Sequence, residues 1–537
     1  MNIELTMDKA LLTLCLEDGH TVVDKRGNIH TGQPSTPKSD EIRDYLMTHC
    51  AHFGQAKGWV PNRYLLDRNA LTIHLDSIQA LLLDKGGEMK SSVGDRLTAL
   101  CQSAVNRGAS DIHLEVHRNQ TRVLLRVDGK REPLLVLSNG ESAQRLPDAT
   151  GHQLGSYLFQ VLGRQNFSVR TPMNDRFELN LEVKGRLQPV EWRAALMPLD
   201  RGFKLVLRCL TSLGQPLTLK GMDLLPAHTK LLKEKVARRS GIIILTGPMG
   251  SGKSSMMYAL LETIDRTARC VHSLEDPVEF EQTMVTKTLV EPKRELKEGG
   301  GLYLDYTFYA HEQLRQDIDV TSFGELRQAD TVKEFIRKGE TGGLALSTLH
   351  SNSAIGVPSI FIEQLDVPAS VVAAPGLMQL FTHQKLIRSL CDCKCPALSD
   401  ETRTLYEQAG QLPLYHRKIK QLKRVLGEEA QHAAITRPKG CAQCDSKGER
   451  GRKLVIEMIA VDDDDRDFFQ NRDYLGWKKH LKSKGWPDIR AHALHRLRLG
   501  QVDILSASEQ VDGLVELPSQ SIYQTLYQQL ADTEERA

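Results

Sequence analysis

Residues 242–255 read Ile242-Ile243-Ile244-Leu245-Thr246-Gly247-Pro248-Met249-Gly250-Ser251-Gly252-Lys253-Ser254-Ser255, an apolar β-branched run that breaks into a glycine-rich turn. Gly247-x-x-x-x-Gly252-Lys253-Ser254 is the pattern of a phosphate-binding loop. Its setting is the expected one, strand before and helix after, since Ser255-Met256-Met257-Tyr258-Ala259-Leu260-Leu261 continues with helical character. Glycines let backbone N–H groups turn inward around phosphate oxygens, and the following helix points its positive end at them. Lys253 is placed to reach the β- and γ-phosphates and the Ser254 hydroxyl to hold magnesium. ATP and magnesium are the expected ligands of the segment Gly247–Ser255. A chance match in a glycine-rich turn is the competing reading, and the flanking strand and helix argue against it.

At 537 residues the chain is too long for one hydrophobic core, so several domains are expected. Lys plus Arg number 70 and Asp plus Glu 68, a balance that does not point to nucleic acid as the main partner. The opening residues MNIELTMDKALLTLCLEDGH lack a basic segment and break their apolar run with charges, unlike a signal peptide. No apolar stretch reaches about 18 residues, so no membrane-spanning helix is expected and the chain reads as cytoplasmic. Ten cysteines are then expected to be reduced, and clustered ones suggest metal. Cys15, Cys50, Cys101, Cys209 and Cys270 are scattered; the other five crowd into Cys391–Cys444.

Patterning divides the chain. Residues 1–100 read as an adaptor or docking domain. Residues 101–215 carry alternating runs such as ASDIHLEVHRNQTRVLLRVDGKRE and predict an α+β domain with four to six strands. Residues 216–228 read as a linker. Residues 229–387 alternate strands and helices, the pattern of a parallel α/β core. Residues 388–455 form a Cys-rich insertion, and 456–537 read as helical, with Asp462–Asp465 at a helix start.

Three polar segments follow the loop at strand ends, where ligands collect in parallel sheets. Ser273-Leu274-Glu275-Asp276-Pro277-Val278-Glu279 brings three carboxylates, of which Glu275 is the candidate to orient magnesium or water. Asp319-Val320-Thr321-Ser322-Phe323-Gly324-Glu325 reads as a strand ending in a carboxylate. Hydrolysis needs a group to orient and deprotonate water in line with the γ-phosphate, and Glu325 is the candidate. Leu344-Ala345-Leu346 runs into Ser347-Thr348-Leu349-His350, placing His350 to sense the γ-phosphate. In the cysteine cluster, Cys441-Ala442-Gln443-Cys444 is a zinc-type pair. Two of Cys391, Cys393 and Cys395 would complete a four-thiolate structural site, leaving one surplus.

Taken in order, GPMGSGKSS, SLEDPVEF, LRQDIDV…GELRQADT and STLHSNSA resemble the secretion ATPase superfamily of type II secretion and type IV pilus motors. The upstream GASDIHLEV…LLRVDG and the downstream Gln384-x-Leu386-Ile387-Arg388-x-Leu390-Cys391 and Gly440-Cys441-x-x-Cys444 extend the resemblance over about residues 100 to 460. Several positions depart from it. Thr321-Ser322-Phe323 stands where large aliphatics are usual, Gln328 and Ser353 replace Asp, and Ile318 replaces Pro.

The resemblance implies a RecA-like core preceded by a PAS-like α+β domain and an N-terminal adaptor, with a zinc-bearing insertion. It implies a homohexamer with ATP between subunits, closed over by Arg193 and Arg208, with Arg176 a third candidate. Length before SDIHLEV and the clustered cysteines favour pilus assembly over retraction, and the departures from the family motifs favour a type IVb-like system; a type II secretion motor, which shares these features, is the alternative. The implied partners are an inner-membrane platform protein and a cytoplasmic accessory protein, which would hold the chain peripherally at the membrane. A nucleic-acid translocase is the reading from another class. An aromatic content of only 5% and balanced charge oppose it.

Overall fold

The computed structural model describes residues 5–534 apart from 7, 34, 68–70, 72–73, 76–77, 79–86, 164, 212–217 and 516–518. It divides into two units, residues 1–214 and 215–537. Residues 1–4, 216–217 and 535–537 of the expected adaptor, linker and C-terminal region lie outside the described residues.

In the second unit the run Gly241–Thr246 forms a strand whose six residues are all buried. It belongs to a seven-stranded sheet in the order Thr286–Leu289, Val271–Glu275, Val320–Phe323, Leu344–Leu349, Gly241–Thr246, Met378–Leu390, Glu449–Ala460. Neighbours are parallel except for the last pair. Strands covered on both faces need apolar side chains throughout, which is why Ile242-Ile243-Ile244-Leu245 reads as an unbroken run. The helix Ala329–Glu340 turns Val332, Phe335, Ile336 and Gly339 inward, the spacing of one helical face. A Cβ at Gly339 would come within 2.9 Å of the Ile242 side chain, so glycine lets the helix approach the sheet.

The parallel pattern anticipated for the core does not include its last strand. The chain leaves the sheet at Leu390, makes an excursion over residues 391–448, and returns antiparallel along Glu449–Ala460. Such a return needs no crossover, since antiparallel neighbours are joined from the same end. The expected linker also differs. Leu219 and Met222 are buried in the same core as Leu232 and Val236, and Asp223 pairs with Lys453 and Arg496 at 2.8 Å each. Its second half is therefore part of the second unit.

Four successive helices after the sheet, Asp463–Gln470, Tyr474–Ser483, Ile489–Arg498 and Ile504–Gln510, each start behind an aspartate: Asp462, Asp473, Asp488 and Asp503. Each carboxylate accepts backbone N–H groups that the first helical turn leaves unpaired. The Asp462–Asp465 run is thereby a capping box, and Asp465 also accepts the Trp477 indole N–H at 2.7 Å. Among the described residues no helix is long and apolar enough to cross a membrane.

The first unit carries a six-stranded antiparallel sheet in the order Lys130–Pro133, Gln120–Val127, Asp111–His117, Gly202–Cys209, Arg186–Leu199, Met173–Val183. Its inward residues, among them Leu114, Trp192, Phe203 and Leu207, pack with Leu97, Leu100 and Leu154 from two helices. A separate small core of Leu11, Val22, Ile42 and Leu46 lies nearer the N-terminus.

The excursion is bound to the C-terminal helices by a buried ion pair, Lys418 to Asp503 at 2.7 Å, with side chains only 4% and 2% exposed. Burial alone would lower the Lys418 pKa, but Asp503 and Tyr406 outweigh it and hold the ammonium charged. Asp503 also accepts the Thr436 N–H at 2.9 Å and caps Ile504–Gln510. Asp503→Ala should cost about 3–5 kcal/mol, because it leaves a buried cation unpaired. Lys418→Met combined with Asp503→Leu should recover part of that loss. Denaturant unfolding monitored by circular dichroism, comparing the two variants with the parent, measures both.

Candidate active site

The phosphate-loop residues emerge at the C-terminal end of Gly241–Thr246. Gly247 has φ +150°, and a Cβ there would lie 2.4 Å from the Gln384 carbonyl oxygen and 2.5 Å from Ser251 Oγ. The loop therefore runs hard against the neighbouring strand. Gly252, at φ +86°, is the N-cap of the helix Lys253–Leu261 and brings no side chain to compete for its first N–H groups. Those donors remain directed at whatever anion the loop encloses. Lys253 Nζ donates to the carbonyl oxygens of Gly247 at 2.8 Å and Pro248 at 3.1 Å, folded back over its own loop. Burial lowers its pKa, and the nearby Glu325 charge opposes that shift. Gln384 Nε2 donates to the Ser251 carbonyl at 2.8 Å and braces the loop from the side. Beneath it, Thr246 Oγ1 donates to the Thr382 carbonyl at 2.8 Å and lies 3.0 Å from His383 Nδ1. Burial, with Lys385 and Lys253 adding to it, pushes the His383 pKa down to about 4, so this ring stays neutral.

Glu325 and His350 come together because their strands are in parallel register, Phe323 opposite Ser347. Two residues further on, Glu325 stands level with Leu349 and His350. Side chains fix the exit: Ser347 Oγ donates to the Phe323 carbonyl at 2.9 Å and Thr348 Oγ1 to the Gly324 carbonyl at 2.7 Å. His350 Nε2 lies 3.1 Å from Glu325 Oε1, and Arg327 donates to Glu325 Oε2 at 2.6 Å. Glu325 is thus held by two groups at the mouth of the sheet.

Glu275, the candidate to orient magnesium or water, makes its contacts within the fold. It is buried, accepts from Ser273 Oγ at 2.6 Å and from the Tyr258 hydroxyl, and faces Lys287 Nζ at 3.0 Å. Lys287 also lies 4.1 Å from the centre of the Tyr258 ring. Ser322 Oγ donates to Ser273 Oγ at 2.8 Å and Thr321 Oγ1 to Gln313 Oε1 at 2.7 Å. The polar Thr321-Ser322 pair in a buried strand is accounted for by these partners. The carboxylate beside Ser254, in the first turn of the phosphate-loop helix, is Glu279, while Glu275 meets the same helix further along at Tyr258. Burial raises its pKa, and the Glu275 charge adds to the effect. Glu279 stood in the same acidic segment, but spacing alone could not separate it from Glu275.

The arginines lie in the first unit. The sheet register sets Arg176 opposite Arg193, Arg193 opposite Arg208, Arg208 opposite Asp111, Asp111 opposite Arg126, and Arg126 opposite Arg131. Arg208 Nε binds Asp111 at 2.8 Å, with Arg126 3.7 Å from the same carboxylate. Like charges directly opposite across strands repel, and carboxylates interleave the row, Glu115 3.0 Å from Arg131 and Glu191 3.7 Å from Arg176. Arg126 and Arg131 were missed in the sequence; their signal was the alternation within RVLLRVDGKRE.

Of the five clustered cysteines, four converge. Sγ atoms of Cys391, Cys393, Cys441 and Cys444 all lie within 4.8 Å of one another. Cys391 to Cys441 is 3.8 Å, Cys441 to Cys444 3.8 Å and Cys393 to Cys444 4.0 Å. Zinc–thiolate bonds of about 2.3 Å in a tetrahedron separate the sulfurs by about 3.8 Å, so the set fits zinc. The N–H groups of Cys441 and Gly448 point at Cys444 Sγ from 3.2 and 3.1 Å, as a thiolate needs. Cys395 is the surplus thiol, turned instead toward the Cys393 carbonyl.

A parallel sheet with a phosphate loop and a held glutamate at its carboxyl edge belongs to the P-loop ATPases. The family described as Type II/IV secretion system protein matches residues 88–513, and the chain belongs to that family. The type II secretion system ATPase E of Vibrio cholerae is 29% identical over 411 residues, 75% of this chain and 72% of that one. The protein transport protein HofB homolog of Escherichia coli is 29% identical over 453 residues, 84% of this chain and 87% of that one. Among solved structures, the Legionella pneumophila ATPase DotB shares the fold, with a TM-score of 0.51 at 16% identity over 76% of this chain and 93% of that one.

The close approach at Gly247 generates a test. Gly247→Ala places a methyl against the Gln384 carbonyl and must displace the loop. Circular dichroism should remain that of the parent, while affinity for fluorescently labelled ADP falls at least about tenfold. Unchanged affinity would mean that the loop does not grip the nucleotide at this point.

Proposed function

We propose that the chain is a cytoplasmic mechanochemical ATPase, acting as a homohexameric ring, that powers assembly of a type IV pilus of the IVb-like kind. The observation that carries the ATPase reading is the convergence of Lys253, Ser254 and the Glu325–His350 pair at one edge of the parallel sheet. In this reading Lys253 leaves the Gly247 and Pro248 carbonyls to neutralise the β- and γ-phosphates. Ser254, with Glu279 behind it, would hold magnesium, which when bound would screen the phosphate charge. Glu325 orients and deprotonates the attacking water, while His350 keeps its carboxylate in position and reports on the γ-phosphate. Glu275 acts from within the fold, anchoring the acidic segment through Tyr258 and Lys287. Arg193 and Arg208, with Arg176 beside them in the row, meet the charge that develops on the transferred phosphoryl group.

Domains follow from this assignment. Residues 1–100 would dock partners, 101–215 would supply the arginines as a PAS-like domain, and 229–387 the RecA-like core. The four thiols of 388–455 would hold a structural zinc, since a set of four leaves no position open to substrate. Closure of one unit over nucleotide, in a ring that of the neighbouring subunit, turns hydrolysis into domain motion. An inner-membrane platform protein and a cytoplasmic accessory protein would receive that motion and tether the ring. A type II secretion motor is the second reading, favoured by the name of the Vibrio cholerae relative. Deleting the gene in its host and scoring surface pili against exported enzymes separates the two. DNA-stimulated hydrolysis would favour a translocase instead.

Two predictions follow from the roles assigned. Glu325→Gln should bind ATP but lose about 10²-fold or more in kcat, the range for removing a general base. Arg208→Ala should also bind ATP and hydrolyse slowly. Mixed under conditions of subunit exchange, the two should partly recover activity, because some interfaces then pair an intact Glu325 with an intact Arg208. A dilution series with intact subunits shows whether one defective member silences a ring, and absence of recovery in a tolerant ring contradicts the shared site.

For the cysteines, elemental analysis of protein purified without a metal-affinity step should give about one zinc per chain. Cys395→Ser should keep it and Cys393→Ser should lose it. Zinc retained by Cys393→Ser would contradict the ligand set.

A further inference from the structure

The six-stranded sheet has a second basic feature at the end opposite its arginine row. Arg118 lies in the turn between the strands Asp111–His117 and Gln120–Val127. Arg201 lies in the turn between Arg186–Leu199 and Gly202–Cys209. Arg170 precedes the strand Met173–Val183. Together with His117, His152 and two carboxylates, Asp148 and Asp200, they surround a cavity of about 650 Å³, with Val169, Pro198 and Leu199 as its apolar wall. His117 stands six residues from Asp111 on one strand, about 20 Å at the rise of an extended chain. The cavity is therefore distinct from the Arg208–Asp111 row.

This gathering has features that turns do not require. Three guanidiniums from three separate segments outnumber the two carboxylates of the lining, of which Asp200 pairs with Arg201 at 3.5 Å. Arg118 and Arg170 have no ion-pair partner among the described residues. The backbone is drawn tight around the cavity. Gly202 has φ +142°, and a Cβ there would fall 2.0 Å from the Val116 carbonyl. His152 is fixed by an edge-on contact with Phe203, ring centres 5.2 Å apart, and burial lowers its pKa against the pull of Asp148. A neutral imidazole both donates and accepts hydrogen bonds. Guanidinium forks match phosphate oxygens in pairs, and the volume falls within the range of small-molecule sites.

We propose that this cavity binds a phosphorylated ligand of nucleotide size, its phosphate on Arg118 and Arg170 and its less polar portion against Val169, Pro198 and Leu199. The site lies wholly within residues 1–214 and does not depend on the ATPase reading. A motor so equipped would carry a second, non-hydrolytic nucleotide site on the unit that also bears the arginine row.

The test uses the full chain carrying Lys253→Ala, which disables the phosphate loop, with labelled ADP as the probe at physiological salt. Saturable binding should persist, and adding Arg118→Ala and Arg170→Ala should weaken it at least about tenfold. Unlabelled ADP should displace the probe at least about tenfold better than pyrophosphate, because pyrophosphate leaves the apolar wall unused. Leu199→Glu, at an exposed position, should weaken binding as well and decides the matter should the arginine changes disturb folding. Absence of saturable binding below about 1 mM overturns the proposal. Binding insensitive to the arginine and Leu199 changes overturns it too, and equal displacement by pyrophosphate overturns the assignment of a nucleotide.

Discussion

The site depends on the parallel register among Val320–Phe323, Leu344–Leu349 and Gly241–Thr246. Leu344 pairs with both Gly241 and Val320, so one strand sets the height of the other two. Thr246 and Leu349 are then level, and the phosphate loop, Glu325 and His350 all leave the sheet at the same edge. A slip of one residue in the central strand would turn its side chains to the opposite faces. It would also move Ser347 and Thr348 away from the carbonyls of Phe323 and Gly324, which they now bind. Catalytic geometry here is a consequence of strand pairing, and the apolar cores on the two faces, around Phe335 and around Leu260, enforce that pairing.

Buried hydroxyls inside these strands tighten the same constraint. Thr246, Thr321, Ser322, Ser347 and Thr348 each donate within the second unit, so none is a desolvated orphan. A buried polar group stabilises one register only, the one in which its partner is present. The Ser322–Ser273–Glu275 chain continues this logic to Tyr258 on the phosphate-loop helix and Lys287 on the edge strand. Three strands and a helix are thereby locked by side chains that an alternation rule would have placed outside.

What could be read in the sequence was whatever depends on local pattern. Ile242–Thr246 with its glycines announced strand, loop and helix, and the Glu325 strand followed from its terminal carboxylate. The distinction between Glu275 and Glu279 was not legible, because both lie in one acidic segment. Only the three-dimensional partners, Lys287 for one and Ser254 for the other, separate them. The choice among Cys391, Cys393 and Cys395 was likewise hidden, since alternate positions in a short segment say nothing of how it turns toward Cys441. The arginine row was half visible: each residue sat in a strand-like run, but their alignment is a property of five strand pairings, one of which, Arg208 with Asp111, joins distant segments. The antiparallel return at Glu449 was hidden for the same reason, being a long-range pairing across the whole excursion.

That return strand explains why a cluster of four thiols so far along the chain bears on the phosphate loop. Met378–Leu390 and Glu449–Ala460 flank the excursion, and Cys391 stands at the end of the first while Cys441 and Cys444 shortly precede the second. Both strands touch the loop: Gln384 donates to the Ser251 carbonyl at 2.8 Å, and Arg452 Nη1 lies 3.4 Å from the Gly250 carbonyl. Their register sets Arg388 opposite Arg452, and Arg388 is anchored by Glu449 and Glu509 at 2.7 Å each. Drawing the four thiols to one point fixes the separation of the two strand ends and opposes sliding. A slide would carry Gln384 and Arg452 off the loop they brace. Loop geometry thus rests on contacts within the core and also on a closure made by thiols at the base of the excursion between the two strands.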